Sequence, residues 1–307
     1  MKVVVIGTIN QDLILPFRGT SIQSIGGIFY TISALSKLDE QNLQIVPISF
    51  LGSDMYPAFL RLLKQYPNVL PDGLQEIEQK NHKVILEYKS AEERVEKALF
   101  NFPSLEWENL EKFLDADFYM VNLITGWDIS LAAYQELSRL HYRRMYLDVH
   151  FLVMGIDNLG KRFPQRPANV EAWIRGARFV QMNEREFRII SQDSANDIMF
   201  FENYFQPDQI LIITLGGRGA RVIFRKDNIV RKKEFPAYPV EDVVDVTGCG
   251  DVFGAGFVTE YLRSGNFYRA MEFANRAAGV NSLLRGTNEL DKLLPLMDEL
   301  ALARDSR

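Results

Sequence analysis

Short apolar runs recur along this chain with helix-length stretches between them, and that alternation limits the fold more than any other feature. Lys2 to Gly7 is a continuous apolar run ending in Gly, the pattern of a strand buried on both faces of a parallel sheet. Gln44 to Phe50, Asp117 to Leu123, Met145 to Asp148, Phe179 to Met182 and Ile210 to Leu215 read as further strands. Helices are expected over Ile28 to Leu38, Met55 to Gln65, Asp251 to Arg263, Tyr268 to Leu284 and Glu289 to Leu302. Strand–helix alternation of this kind predicts an α/β fold with a mainly parallel sheet wrapped by right-handed crossovers. From Val222 to Tyr238 the pattern changes to short strands separated by charged turns at Lys226-Asp227-Asn228 and Arg231-Lys232-Lys233, a hairpin at the sheet's edge. With no internal repeat, low-complexity tract or long linker, residues 1–307 read as one domain.

A second, smaller sheet is expected beside the first. His82 to Tyr88 looks like an exposed strand, and together with Asp12 to Ser24 it would project from the main body. Segments 12–24 and 82–100 are read as a lid; a plain sheet-edge hairpin is the alternative.

Several function classes drop out. The net charge of -5 and the absence of a dense Lys/Arg block argue against a nucleic-acid partner. The single cysteine, Cys249, forms no internal disulfide framework and fits a reducing compartment. With only three histidines, a Cys/His zinc site is not expected. The first apolar run is too short for a signal peptide, and none approaches the ~20 residues that span a bilayer. A cytoplasmic protein is the expectation.

The chemistry concentrates in Asp245-Val246-Thr247-Gly248-Cys249-Gly250-Asp251, which leads into the small-residue segment Val252 to Phe257. Glycines at a helix start let backbone N–H groups converge on an anion, where the helix dipole adds partial positive charge. Asp251 would then stand in the first helical turn, beside any bound phosphate. Such a carboxylate makes sense if it takes a proton from a hydroxyl attacking that phosphate. On this segment alone a capping Asp in a tight turn fits equally.

Other segments are weaker alone. Gly7-Thr8-Ile9-Asn10-Gln11-Asp12 leaves the first strand at its C-terminal end, where open α/β sheets place ligands. It is not GxGxxG, and no GxxxxGK[ST] loop exists, so a dinucleotide fingerprint and a P-loop are both missing. Gly26-Gly27 before a helix permits close approach to a ligand, or is simply a turn. Asp148-Val149-His150 closes a strand.

In this order the pieces resemble the ribokinase-like (PfkB-type) carbohydrate kinase family over nearly the whole chain. The most specific part is Asp245 to Asp251, similar to the family's DTxGxGD signature with Val246 in place of the usual Thr. Cys249 stands where many members have Ala, and a small side chain suits the crowded turn, so packing is the first reading; its position at a helix N-terminus also favours the thiolate and oxidation sensitivity. Asn10 and Asp12 look like the first sugar-contacting segment, and Gly26-Gly27 like the substrate-binding glycine pair. Thr31 stands where the family often has Asn, so the hydroxyl pattern read on the substrate departs from the usual one. Asn183 and Glu186 resemble the NxxE motif near the metal, Glu186 acting through water. Thr214 with Gly216 to Gly219 resembles the nucleotide-side turn, and Asn275 falls in the adenine-flanking segment.

The resemblance implies a three-layer αβα fold with a small β lid. It also implies an ATP- and Mg²⁺-dependent transfer of phosphoryl to a sugar hydroxyl, with a monovalent cation near Asp245 in some members. Asp251 would be the general base, with the N–H groups of Gly248, Cys249 and Gly250 as the anion hole. Asn10, Asp12, Gly26, Gly27 and Thr31 would hold substrate; Asn183, Thr214, Gly216, Gly219 and Asn275 the nucleotide; Glu186 the metal. A nucleoside kinase is the alternative within the fold, with Phe29, Tyr30, Phe100 and Phe102 as a base platform or as ordinary packing. Another is a family member that binds sugar or nucleotide without turnover. A dehydrogenase is third. A free lid edge would invite pairing with a second copy.

Overall fold

The structure, a computed structural model, describes residues 1–15, 20–88, 94–192 and 196–305. In chain order its strands begin with β1 (Lys2–Ile6), β2 (Ile9–Leu15), β3 (Ile22–Gly27), β4 (Gln44–Gly52) and β5 (Leu74–Ile77). Then come β6 (Lys83–Tyr88), β7 (Arg94–Leu99), β8 (Phe118–Asn122), β9 (Met145–Asp148), β10 (Met154–Ile156) and β11 (Arg162–Pro164). The last four are β12 (Phe179–Asn183), β13 (Ile210–Thr214), β14 (Ala220–Lys226) and β15 (Ile229–Phe235). Nine of them form one sheet in the order β15-β14-β13-β12-β9-β8-β1-β4-β5. All of its pairings are parallel except the two made by the β14–β15 hairpin.

The runs of the parallel strands are apolar without alternation because both faces are covered. On β1, Val3 and Val5 pack under helices Phe29–Leu38 and Cys249–Ser264, while Val4 and Ile6 face helix Leu131–His141 on the other side. The result is the three-layer αβα fold. Ligand sites are expected at the C-terminal ends of such strands, and the loops after β8, β9, β12 and β13 all leave there.

Four strands make the second sheet, in the order β3-β2-β6-β7. Parts of both lid segments, 16–19 and 89–93, lie outside the described residues. Two local readings need correction. The strand at Lys83–Tyr88 is internal to the small sheet, paired with β2 on one side and β7 on the other, and so is not an exposed edge. Arg231-Lys232-Lys233 is not a turn but the middle of β15, the outermost strand of the main sheet. Charged side chains suit that place because they discourage pairing with another chain. The last expected helix is also split. Thr287–Lys292 winds as a 3-10 segment and the α-helix starts at Leu293, because Pro295 has no N–H to bond back into the preceding turn.

Candidate active site

Helix Cys249–Ser264 begins at Gly248, whose φ of 73° and ψ of 0° are left-handed, the conformation Gly adopts without penalty. The turn Gly248-Cys249-Gly250 and Asp251 open on a cavity of about 740 Å³. Asn183, Glu186, Thr214, Gly216, Gly219 and Asn275 line the same cavity, so the structure brings these sequence-predicted residues to one place. Its volume lies within the range of ordinary small-molecule sites. Gln181 was missed: its Nε2 donates to Gly250 O at 3.1 Å while its Oε1 accepts from Tyr146 OH at 2.5 Å, tying the turn to the central sheet.

One expected anion-hole donor is otherwise engaged. The N–H of Cys249 donates to Val246 O at 3.3 Å, which leaves those of Gly248 and Gly250 for the cavity among the described residues. The Cys249 thiol also departs from expectation. Burial, with the charges of Asp245 and Asp251, pushes its pKa up, and only the Asn281 amide at 3.3 Å opposes this. The helix start does not make this sulfur a thiolate.

Asp251 is buried, and burial pushes its pKa up to about 7. Its own backbone N–H and the side chains of Thr31 and Asn122 hold it from rising further. The Thr31 hydroxyl lies 3.4 Å from Asp251 Oδ1, and Asn122 Nδ2 donates to that hydroxyl at 3.1 Å. Thr31 is 0% exposed, so in this structure its side chain meets Asp251 and Asn122 and bears on a substrate only through Asp251. Its shorter side chain stops at Asp251 instead of reaching past it. Asn122 was missed, although a carboxamide closing an apolar strand run was the available signal.

Asp12 and Asn10 lie on β2, not in a loop, and Asn10 Nδ2 donates to Asp12 Oδ1 at 2.5 Å. The glycine pair closes β3 alongside. A Cβ on Gly26 would collide with Asp12 Oδ2, and one on Gly27 with Thr8 O and Asn10 Oδ1. The pair therefore makes room for the Asn10 and Asp12 side chains first, and for a ligand only through them. Asp12 also borders a smaller pocket of about 250 Å³, with Gln23, Lys83 and Asn288.

Asn183 and Glu186 form a capping box at helix Glu184–Ile190. Asn183 Oδ1 accepts from Glu186 N at 2.9 Å, and Glu186 Oε2 accepts from Asn183 N at 2.7 Å. Glu186 is buried, which raises its pKa to about 8, with the charge of Asp251 adding to the effect. Asp148 is pushed well up by burial, then by Glu186 and Asp251. Buried carboxylates crowded without a cation resist ionising. Oxygen ligands of this kind suit a hard cation, but both Glu186 oxygens already accept from Asn183. Among the described residues no group of three acidic, His or Cys side chains is placed to hold a metal ion, so a cation would have to be held through its water.

The proposed aromatic platform does not form. Phe29 packs edge-on against Phe59 and Tyr66 in the core, and Phe102 is buried against Phe50. Phe100 is exposed. Tyr30 is buried with its ring against Gly248.

The model of the pfkB family carbohydrate kinases matches residues 32–292. The chain belongs to that family. Among curated relatives, a nucleoside kinase from Methanocaldococcus jannaschii is 35% identical over 92 residues, 29% of this chain and 28% of that protein. A Bacillus subtilis ribokinase is 30% identical over 138 residues, 43% of this chain and 44% of that one. The chain thus matches less than half the length of these relatives. Among solved structures, the Burkholderia thailandensis nucleoside kinase in complex with inosine superposes with a TM-score of 0.76 at 17% identity, covering 97% of both chains. At that identity the likeness carries the fold alone.

Proposed function

We propose that this chain is an ATP-dependent phosphotransferase whose acceptor is a hydroxyl of a small sugar or sugar-like molecule, with Asp251 as the general base. The observation that supports it most is the place of Asp251. A buried carboxylate with a pKa near 7 stands at a helix N-terminus, on the wall of a cavity large enough for a nucleotide. A base poised near the working pH is the most effective proton acceptor.

In this reading the nucleotide lies along the turn Gly216–Gly219 and Asn275, its terminal phosphate against the N–H groups of Gly248 and Gly250. Asp12 orients the acceptor so that one hydroxyl points at Asp251. Proton transfer to Asp251 accompanies attack on the γ-phosphate, and the helix N-terminus stabilises charge on the transferred oxygens. Glu186 and Asp148 would hold a magnesium ion through its water, which when bound neutralises charge on the nucleotide phosphates. Helix Phe267–Asn281 borders the adenine end, where Asn275 donates to Phe235 O at 3.4 Å and Gly279 lets Tyr238 close in.

An ATP-coupled screen of sugars and nucleosides, with and without Mg²⁺, tests this directly. Turnover with at least one acceptor that stops when Mg²⁺ is removed is the expected result. Tight binding of sugars or nucleotides with no phosphoryl transfer to any of them would replace it with the binding-protein reading.

The pH dependence is specific. Only deprotonated Asp251 accepts a proton, so kcat/KM should fall tenfold per pH unit below about 7. Thr31 and Asn122 lower that pKa, so Thr31→Val should move the acid limb to higher pH by a measurable fraction of a unit or more. A Thr31→Val profile that superposes on the wild type would remove Thr31 from the positioning of Asp251.

A further inference from the structure

Arg162 opens β11, in a hairpin joined to the lid's last strand. Ala98 N donates to Gly160 O at 2.9 Å, and Lys97 bridges Lys161 in antiparallel register. Extending that register by one residue sets Arg162 across from Glu96. Pairings Glu96↔Leu86 and Leu86↔Ile14 then lead to β2, two residues beyond Asp12. Because side chains alternate along strands, Asp12, Val84, Ala98, Leu86, Glu96 and Arg162 share one face of this sheet. Val84, Leu86 and Ala98 are buried yet belong to neither core cluster, so this face of the small sheet is covered without being part of the main packing. Three strand steps and two residues separate Asp12 from Arg162, roughly 16 Å between backbones. Their side chains shorten this to the scale of one substituted sugar.

The arginine reaches from the lid to the C-terminal edge of the main sheet. Its Nη1 donates to Thr125 O at 2.7 Å, in the loop that follows Asn122. Its guanidinium carbon lies 4.7 Å from the centre of the Trp127 ring and 5.3 Å from that of Phe151. The side chain is only 6% exposed, yet its Nε–H meets no acceptor. Nearby carboxylates do not neutralise it by contact. Asp128 Oδ2 accepts from Thr125 N, Thr125 Oγ1 and Gly126 N, and its Oδ1 meets no hydrogen-bond partner among the described residues. Glu96 and Asp128 both attract the guanidinium, yet neither makes an ion pair with it among the described residues. A buried N–H left unpaired is costly, and a guanidinium braced by two rings keeps its edge in a fixed fork.

We propose that the acceptor carries an oxyanion, either carboxylate or phosphate, and that the Nε–Nη2 edge of Arg162 receives it while Asp12 holds hydroxyls at the other end of the cleft. This rests on the phosphotransferase reading above. Arginine meets two oxygens of a carboxylate or a phosphate with two parallel N–H bonds, which neutral sugars cannot reproduce. A nucleobase would need an open ring to stack on, and the guanidinium itself covers Trp127 and Phe151.

The test is kcat/KM on matched acceptors: a neutral pentose, its 1- and 5-phosphates, a sugar acid, and inosine with guanosine, since an arginine fork also meets purine O6 and N7. The wild type should prefer an anionic acceptor over its neutral counterpart by at least 100-fold, and the two anion classes show which source fits. Arg162→Met should raise KM for that acceptor by about 10²–10³-fold, with kcat and the KM for ATP within a few-fold and neutral acceptors unchanged. Arg162→Lys, which keeps the charge and stem, should recover part of the loss. A neutral sugar or a nucleoside as the best wild-type acceptor would overturn the proposal while leaving the kinase reading intact. So would equal losses on anionic and neutral acceptors in Arg162→Lys. Absence of turnover with every acceptor would overturn both.

Discussion

Replacing Asp251 by Asn is expected to lower kcat by about 10²–10⁴-fold while leaving ATP affinity within a few-fold. The amide keeps the shape of the carboxylate and still accepts the Thr31 hydroxyl, so what is lost is the ability to take a proton. ATP affinity should survive because the nucleotide-side residues, Gly216, Gly219 and Asn275, belong to other elements of the cavity. Stability supplies a control whose sign can be worked out. The folded pKa, about 7, lies above the ordinary value of 3.8, so the native state holds this proton more tightly than the unfolded chain. The group's contribution to stability therefore falls as pH rises from about 4 to about 7, and stays low above that. Asn carries no such charge, and at pH 8 the variant should melt no lower than the wild type. Steady-state kinetics, an ATP titration and melts at pH 6 and 8 decide the matter. Near wild-type turnover by a folded Asp251→Asn protein would remove Asp251 from the proton transfer.

Much of this site was legible in the sequence, for reasons that can be named. The central strands declare themselves because both of their faces are buried, so apolar residues run on without interruption. The turn before Asp251 is legible because only glycine supplies the left-handed start at Gly248 together with free N–H groups. Asn183 and Glu186 stand out because a capping box fixes their spacing at three residues, whatever else they do.

What escaped the sequence depended on long-range contact. Asn122 and Gln181 gain their meaning from Thr31 and Gly250, which are distant along the chain. Arg162 looks like an ordinary surface charge until the hairpin folds it between Trp127 and Phe151. The thiolate that the helix start suggests for Cys249 gives way because burial and two aspartates act more strongly against it. Arg231 to Lys233 was misread because charge alone does not separate a turn from a solvated edge strand. In the proposed reading each donor-side piece is a short local motif, whereas the acceptor side would be assembled from the lid, the hairpin and the ends of β8 and β9.

That division bears on a second large effect, at Gly248. Gly248→Ala should reduce kcat by about 10²-fold or more and lower the melting temperature. Two costs act together. A residue with a Cβ loses roughly 1–2 kcal/mol in the left-handed conformation found here. The new methyl would also collide with the ring of Tyr30. Tyr30 is only 5% exposed and has little room to step aside, so the turn moves instead, carrying the N–H groups of Gly248 and Gly250 and the carboxylate of Asp251 with it. A displacement approaching 1 Å in such groups costs on the order of 10²-fold. Gly265→Ala is the control, since it takes the same left-handed conformation at the far end of this helix with nothing within 4 Å of an added Cβ; it should lower the melting temperature yet leave kcat within a few-fold of wild type. Combining Gly248→Ala with Tyr30→Leu separates the two costs. The double variant should recover part of the lost kcat through relief of the collision, yet keep the backbone penalty in its melting temperature. Full activity in Gly248→Ala alone would mean that the geometry of this turn does not set the rate, and the anion-hole role of Gly248 and Gly250 would fall with it.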